Sequence, residues 1–466
     1  MVKKGEKLKT LVMAKKSFLL LCSAFLFLFS CSREVAEVSN TAHIKGQITV
    51  SEELDDSFDF SDIKILARVR TASDRTDTLF HALTDQQGYF SGDVIFDRPG
   101  QFPVVVSRNN NVMGIINLIF ADQDTIEIRG SLPQFSETVE ISSNENDVFR
   151  TFERVDRSFT RVANFINAGM ISADSVEIEI DKWSDIYWDV FEQYPGSYAG
   201  KLSGESSISI LRDWNDSLMV ARSEEILNSF GNLTTGTREV LVDYYAETEG
   251  LESALNFMNK LQDMAQHSFD IMEIEINRIE LLFDSSRTEE ALTYLDSFKK
   301  TFSDNILAME WAENKRYDLE FLAPGYEFPE LSFLLSTGDS LHTSELNGRP
   351  FMLEVTRFDN TMYQQQFDRT IAIYQIYRNF GLEIITVPLG SNRIVLDAFF
   401  SERAKLWNVV EPGSFDAEHV VEILNLSRVP TRYLVDADGT IIRRYIGNEY
   451  DDIVRGLQQI STLTNE

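Results

Sequence analysis

The spacing of apolar residues changes twice along this 466-residue chain, and those two changes constrain the fold more than any single motif. From Ala42 to Ile141 apolar and polar residues alternate. The segments Ile44–Val50, Ile63–Val69, Val104–Ser107 and Thr125–Arg129 therefore read as strands with one buried face. From Asn144 to Leu322 the spacing becomes helical: Val148, Phe152, Val155, Phe159 and Val162 fall on one face at intervals of three and four. Beyond Pro324 strands and helices alternate. The expectation is a multi-domain chain with an N-terminal all-β sandwich (42–141), a central α-helical region (144–322) and a C-terminal α/β domain (323–466). A soft prior of ~150 residues per domain agrees with three units.

Local signals refine this division. Asp85–Phe90 and Asp97–Phe102 carry glycine or proline where tight turns need them, and Asn109-Asn110-Asn111 reads as a hairpin tip. Ser143 and Asn144 are candidate caps for the first long helix. Further helices are expected over Glu239–Glu247, Leu251–Asp263, Phe269–Phe283 and Thr288–Phe302, with no fixed repeat length. The aromatic run Trp183, Tyr187, Trp188 and Phe191 has helical spacing and reads as core. Leu322–Pro329 ends the helices, since proline cannot continue one.

The first thirty residues read as a targeting segment. Lys15-Lys16 precedes the apolar run Ser17–Phe29, shorter than the roughly 20 residues of a membrane-spanning helix. The run ends in Leu28-Phe29-Ser30-Cys31, which resembles a bacterial lipobox. That resemblance implies a signal peptide over 1–30, cleavage before Cys31 and lipidation of its sulfur. Phe29 departs from the small residue usual at its position. The implied location is the envelope of a Gram-negative bacterium, lipid-anchored and facing the periplasm. Ser32 after Cys31 is compatible with sorting to the outer membrane.

Charge and cysteine usage exclude several functions. The formal net charge is −31; removing residues 1–30, which hold six lysines and one glutamate, leaves −36. Such a surface repels nucleic acid, and no nucleic-acid partner is expected. The cysteines are Cys22 and Cys31 alone, both in the targeting segment, so a mature chain beginning at an acylated Cys31 has no free thiol. His43, His81, His267, His342 and His419 lack ligand spacing, and no metal or other cofactor is expected. The acidic turns at Asp55-Asp56 and Asp436–Asp438 read as solvated.

Two segments resemble known domains. Thr84-Asp-x-x-Gly88-x-Phe90 is similar to a turn in the small β-domain that precedes thioredoxin-like domains in many Gram-negative lipoproteins. More extensively, Ala323-Pro-Gly-x-x-Phe328-Pro-x-Leu331, Thr337–Leu341, Gly348-Arg-Pro350, Val429-Pro430-Thr431 and Tyr433–Ile442 resemble the TlpA/ResA-like thioredoxin family over about 145 residues. The resemblance implies a first central strand at Phe351–Thr356, helices at Thr361–Phe380, Arg393–Lys405, Ala417–Leu424 and Glu449–Leu463, and a buried strand at Leu382–Pro388. It implies a cis-proline at Pro430.

In that family a nucleophilic cysteine opens the helix after the first strand. Alignment of the strand places Asp359 there and Met362 at the resolving position, with Phe358 where tryptophan is usual. Thiol–disulfide exchange needs a thiolate and a second sulfur, so these are degenerate redox positions and no catalytic residue is expected. Asp359 is expected to cap the helix. The implied function is a redox-inactive envelope lipoprotein that binds a protein or peptide through a groove formed by Phe358, Asp359, Tyr363, Val429 and Pro430. The alternatives are a thiol-disulfide oxidoreductase, as the family suggests, and an envelope scaffold acting through the helical region.

Overall fold

The computed structural model describes residues 39–70 and 76–463. The expected signal peptide, Cys22 and the lipidation site Cys31 lie outside the described residues. No described helix is long and apolar enough to cross a membrane.

Among the described residues eight strands come first: β1 (Asn40–Val50), β2 (Lys64–Arg70), β3 (Thr76–Leu83), β4 (Tyr89–Phe96), β5 (Gly100–Arg108), β6 (Asn111–Phe120), β7 (Thr125–Leu132) and, after the short helix α1 (Phe135–Thr138), β8 (Glu140–Ser142). They form two four-stranded sheets, β4-β1-β7-β8 and β3-β2-β5-β6. Strand β1 runs antiparallel to β4 and parallel to β7. Alternation along β1 buries Ala42, Ile44, Ile48 and Val50, which join Ile65, Val104 and Leu118 from the other sheet in one apolar cluster. Gly46 is required in that row, because a Cβ there would lie 1.9 Å from the Ile128 carbonyl oxygen. Asn109 and Asn110 form the two-residue tip between β5 and β6 with φ of 51° and 63°, the left-handed values that such hairpins demand. The Thr84 hydroxyl accepts from Ile63 N at 3.0 Å, fixing the turn that the sequence marks.

Nine helices follow: α2 (Asn144–Asn167), α3 (Ala173–Gln193), α4 (Tyr198–Leu211), α5 (Asp216–Phe230), α6 (Thr235–Thr248), α7 (Leu251–Met264), α8 (Ser268–Asp284), α9 (Thr288–Thr301) and α10 (Ile306–Phe321). Ser143 caps α2, its side chain accepting from Asn146 N. Asn146 in turn exchanges two hydrogen bonds with the Ile119 backbone at 2.9 and 3.0 Å, which fastens α2 to β6. Tyr187, Trp188 and Phe191 are buried on α3, so this aromatic run is core. Helix ends are tied by acids from neighbouring helices. Glu205 on α4 accepts from Thr234 N just before α6, and Glu145 on α2 accepts from Tyr198 N and Ala199 N at the start of α4.

The remaining elements are the hairpin β9 (Ser332–Leu334) and β10 (Ser340–His342), then β11 (Phe351–Thr356), α11 (Thr361–Tyr377), β12 (Glu383–Pro388), α12 (Arg393–Phe400), β13 (Asn408–Val409), α13 (Ala417–Ile423), β14 (Thr431–Val435), β15 (Ile441–Ile446) and α14 (Ile453–Leu463). The sheet order is β13-β12-β11-β14-β15, with β11 parallel to β12 and antiparallel to β14. This βαβ unit followed by an antiparallel hairpin and a closing helix is the thioredoxin-like arrangement. Every residue of β11 is buried, as a central strand covered on both faces requires. Helix α11 stops at Tyr377 rather than Phe380, its last turn tightening to a 3-10 turn. Helix α12 stops at Phe400, five residues before the expected Lys405.

Polar contacts join this domain to the helices. Arg444 on β15 donates twice to Asp318 on α10, at 2.8 and 2.6 Å, and Arg443 meets Asp284 at the end of α8 at 3.1 Å. The linker residue Tyr326 accepts from Ile441 N at 2.8 Å, so the chain leaving α10 runs alongside the outer strand β15.

Candidate functional site at the opening of helix α11

Strands β11 and β12 are parallel, so both end on one edge of the sheet and α11 and α12 both start there. Strand β14 is antiparallel to β11 and begins at the same edge, which brings Val429-Pro430 against the start of α11. The Val429–Pro430 bond is cis.

The residue that opens α11 is Asn360, one later than the sequence alignment places it. Its Oδ1 accepts from Tyr363 N at 3.0 Å, and its Nδ2 donates to the Val429 carbonyl at 3.1 Å. Asparagine suits both tasks because its amide carries an acceptor and two donors. Asp359 does not cap the helix. It is exposed, and its two oxygens accept from Arg357 Nε and Nη2 at 3.0 and 2.8 Å. The guanidinium fork holds its carboxyl below the ordinary carboxylate range. The first helical turn of α11 is thus served by the Asn360 amide, and Asp359 stands outside it. The residue three beyond Asn360 is Tyr363. Met362, the expected resolving position, is half-buried with its sulfur 3.5 Å from where a Cβ on Gly447 would sit.

The expected groove is largely filled. Phe358 is 1% exposed and stacks on Phe399 at 4.7 Å between centroids, while Tyr363 is fully buried. Both are core side chains and do not line a surface. Pro430 is buried and Val429 half-buried. The carbonyls flanking the cis bond are occupied, Val429 by Asn360 and Pro430 by Gly447 N at 2.9 Å. An extended peptide approaching Pro430 therefore finds both acceptors engaged. Of the five expected groove residues, Asp359 and the edge of Val429 remain accessible. Exposed neighbours on the same edge are Arg357, Arg428 and Ile394, the last 78% exposed in the first turn of α12.

Beneath this edge lies a buried polar network that sequence reasoning missed. Glu354 in the middle of β11 and Arg432 on β14 are both fully buried and meet at 2.7 Å. Glu354 also accepts from Thr386 Oγ1 at 3.0 Å, and Thr386 accepts from Trp407 Nε1 at 2.9 Å. Arg432 donates to Gln366 at 2.9 Å and lies 3.7 Å over the Tyr450 ring, leaving its Nη2 without a hydrogen-bond partner. Burial drives the Tyr363 and Tyr450 phenols above their ordinary value. The available signal was a lone carboxylate inside the apolar run Phe351–Val355, which demands a partner when the strand is buried.

The arrangement can hold a fold together and present a mixed polar and apolar rim. It offers no thiol, and among the described residues no cluster of His, Cys, Asp and Glu could hold a metal. Two surface depressions of about 330 and 460 Å³ lie elsewhere, at Ser286–Glu290 against Pro324–Tyr326 and at Ser57–Phe60 against Gln86-Gln87.

No family model matches the chain, and no curated protein matches it. Solved structures similar to part of it include the thioredoxin domain of a thiol-disulfide oxidoreductase from Bacteroides vulgatus, with 19% identity and a TM-score of 0.27 over 29% of this chain and 96% of that one. A thioredoxin-family thiol:disulfide interchange protein from Chlorobium tepidum has 13% identity and a TM-score of 0.26, covering 29% and 98%. A thiol:disulfide interchange protein from a Bacteroides species has 19% identity and a TM-score of 0.26, covering 28% and 88%. Each of these likenesses covers under a third of this chain, and the thioredoxin-like character of the C-terminal domain rests on its own strand order.

Proposed function

We propose that this chain is a lipid-anchored, periplasm-facing envelope protein with a β-sandwich, a helical middle and a thioredoxin-like domain that binds a protein partner without redox chemistry. One observation carries the non-redox reading: Asn360, bonded to Tyr363 N and the Val429 carbonyl, occupies the place where thiol chemistry would start. With no cysteine after Cys31, the domain has no sulfur to exchange. The binding surface is the rim formed by Arg357, Asp359, Ile394 and Arg428, at the end of the parallel strands where ligands of open α/β sheets dock. With Phe358, Tyr363 and Pro430 buried, the accessible part of the rim suits a folded partner better than an extended strand.

Two measurements test this. Protein purified from membranes should show no titratable thiol, no dithiol-dependent reduction of insulin, and a mass lacking residues 1–30 but increased by acyl chains. A photo-crosslinking residue at Asp359 or Ile394 should capture one partner in cells, and the same residue at Ser136 should not. Disulfide reduction by the purified chain, or equal capture from both sites, would overturn the reading. The oxidoreductase alternative would need both sulfurs to come from other molecules.

A further inference from the structure

We propose that helix α2 lies on the membrane surface, its arginine row set against the phosphates of anionic phospholipids and Phe165 dipping into the headgroup layer. The inference rests on the lipid-anchored reading of Cys31 and adds to it which face of the protein meets the bilayer.

The row follows from the spacing of four arginines. Arg150, Arg154, Arg157 and Arg161 are exposed on α2. At ~100° per residue they fall within roughly 60° of arc, a single row about 16 Å long. Phe165, one turn beyond Arg161, continues it and is 51% exposed; Met170, in the turn after α2, is 72% exposed. Arg150 pairs with Asp147 and Arg157 is 3.9 Å from Glu153, so these two are partly countered. Arg154 donates to Thr151 Oγ1 at 3.1 Å, and neither it nor Arg161 has an ion pair among the described residues. An aromatic ring beside a basic row is the composition of helices that lie in the plane of the interface.

The opposite face of α2 is taken by α3. Phe152 meets Tyr187 at 6.2 Å between centroids, and Phe159 meets Trp183 at 6.0 Å. The exposed carboxylates of α3, Asp174, Asp181, Asp185 and Asp189, fall on the side of that helix away from α2. The hairpin is thus basic on one side and acidic on the other. A chain of net charge −31 is repelled by an anionic surface in most orientations, and the arginine row makes this one the exception.

The tether delivers this face to the bilayer. Strand β1 starts beside the start of β7, with His43 opposite Thr125, and β8 ends beside the same end of β7, with Ser142 opposite Glu127. The chain therefore enters the sandwich at the edge where α2 begins. Cys31 precedes Asn40 by nine residues, a length that spans at most about 30 Å when fully extended. Arg150 stands about 9 Å along α2 from its start and Phe165 about 32 Å. An acidic protein would answer the arginines too, but only the bilayer is held within reach by the chain itself.

The test uses the purified full chain reconstituted into vesicles of phosphatidylcholine, alone or with about one quarter phosphatidylglycerol. A solvatochromic fluorescent amino acid replaces Phe165 or, as the control on the carboxylate side, Ile178, which is 66% exposed. With phosphatidylglycerol present, the probe at Phe165 should shift to the blue and be quenched by brominated acyl chains; the probe at Ile178 should do neither. Arg154→Glu/Arg157→Glu should cut the quenched fraction at least about tenfold, with circular dichroism unchanged. Salt of about 1 M, where the Debye length is about 3 Å, should weaken the signal without any substitution. No quenching at Phe165 would overturn the proposal, as would equal quenching with and without phosphatidylglycerol or at both probes. A blue shift without bromolipid quenching would mark a protein contact instead and overturn it too. Flotation with phosphatidylcholine vesicles reads the anchor separately. A chain that fails to float there lacks the anchor, and the row is then judged by flotation with phosphatidylglycerol. Binding that the double charge reversal abolishes would support it, and no binding would overturn it.

Discussion

Glu354 and Arg432 meet at 2.7 Å with neither side chain exposed, across the central strands of the thioredoxin-like sheet. A buried pair of this kind is a weak source of net stability, but removing one partner strands the other charge at about 3–5 kcal/mol. Glu354→Gln should therefore lower the urea midpoint of the C-terminal domain substantially. Glu354→Leu/Arg432→Met should recover most of the loss. If the double variant were as unstable as the single one, the pair would be contributing directly rather than merely satisfying itself.

The helix-opening role of Asn360 gives a second expectation. An exposed helix N-terminus stabilises a thiolate, so a cysteine placed there should ionise more readily than one beside it. Alkylation rates followed against pH should show a lower thiol pKa in Asn360→Cys than in Asp359→Cys. The reverse order would restore Asp359 to the helix opening. Asn360→Ala removes the cap and the Val429 contact together and should destabilise the domain by about 1–2 kcal/mol in denaturant titration.

The sequence made some of this legible and hid the rest for identifiable reasons. Alternation along β1 and the helical spacing of α7 and α9 were readable because each buries one face, and that pattern is local. The Thr84–Gly88 turn and the position of Pro430 were readable instead because their short motifs resemble those of known domains. The choice between Asp359 and Asn360 was not, since both residue types favour helix caps. Two contacts decide it: Arg357 takes the aspartate from two residues back, and Val429 takes the asparagine amide from 69 residues away. Phe358 and Tyr363 were assigned to a surface because the resemblance concerned their position in the chain, whereas Phe399 and Phe400 on α12 enclose Phe358 only in the folded domain. Glu354 was hidden within an apolar run, its partner 78 residues downstream.

The contact between the helices and the thioredoxin-like domain should respond to pH in a direction opposite to simple salt-bridge intuition. Desolvation by the surrounding protein raises the Asp284 carboxyl, still 39% exposed, from 3.8 to about 6, outweighing the pull of Arg443; Glu280 and Glu449 push the same way, and Lys315 opposes. Asp243 on α6 is likewise raised to about 6 by burial, with Glu247, Asp452 and Glu239 adding to the rise and Arg455 opposing it. Groups with raised pKa stabilise the docked state fully below their ordinary value, and that contribution is lost as pH rises through about 6. Thermal unfolding should show a more stable molecule at pH 5 than at pH 7.5. Asp284→Asn should flatten part of that dependence. An increase in stability with pH across the window would contradict the assignment.

Arg444 and Asp318 provide the firmest tie between the two regions, because the contact is bidentate and both side chains are nearly buried, at 8% and 5% exposure. Asp318 also accepts from Asn425 at 2.8 Å, so one carboxylate serves β15 and the segment after α13 together. Asp318→Ala leaves the guanidinium without its anion in a setting where rehydration requires the domains to part, a loss of about 3–5 kcal/mol. The expected result is local: the linker between α10 and β9, held along β15 by Tyr326, becomes accessible. Limited proteolysis should cut within residues 322–331 much faster in Asp318→Ala than in the parent chain, while circular dichroism at low temperature stays unchanged. Arg444→Met/Asp318→Leu should restore protection, since an apolar pair of similar volume leaves no buried charge. Unaltered cleavage in Asp318→Ala would mean that the apolar contacts around Leu322 and Tyr433 hold the domains without this pair.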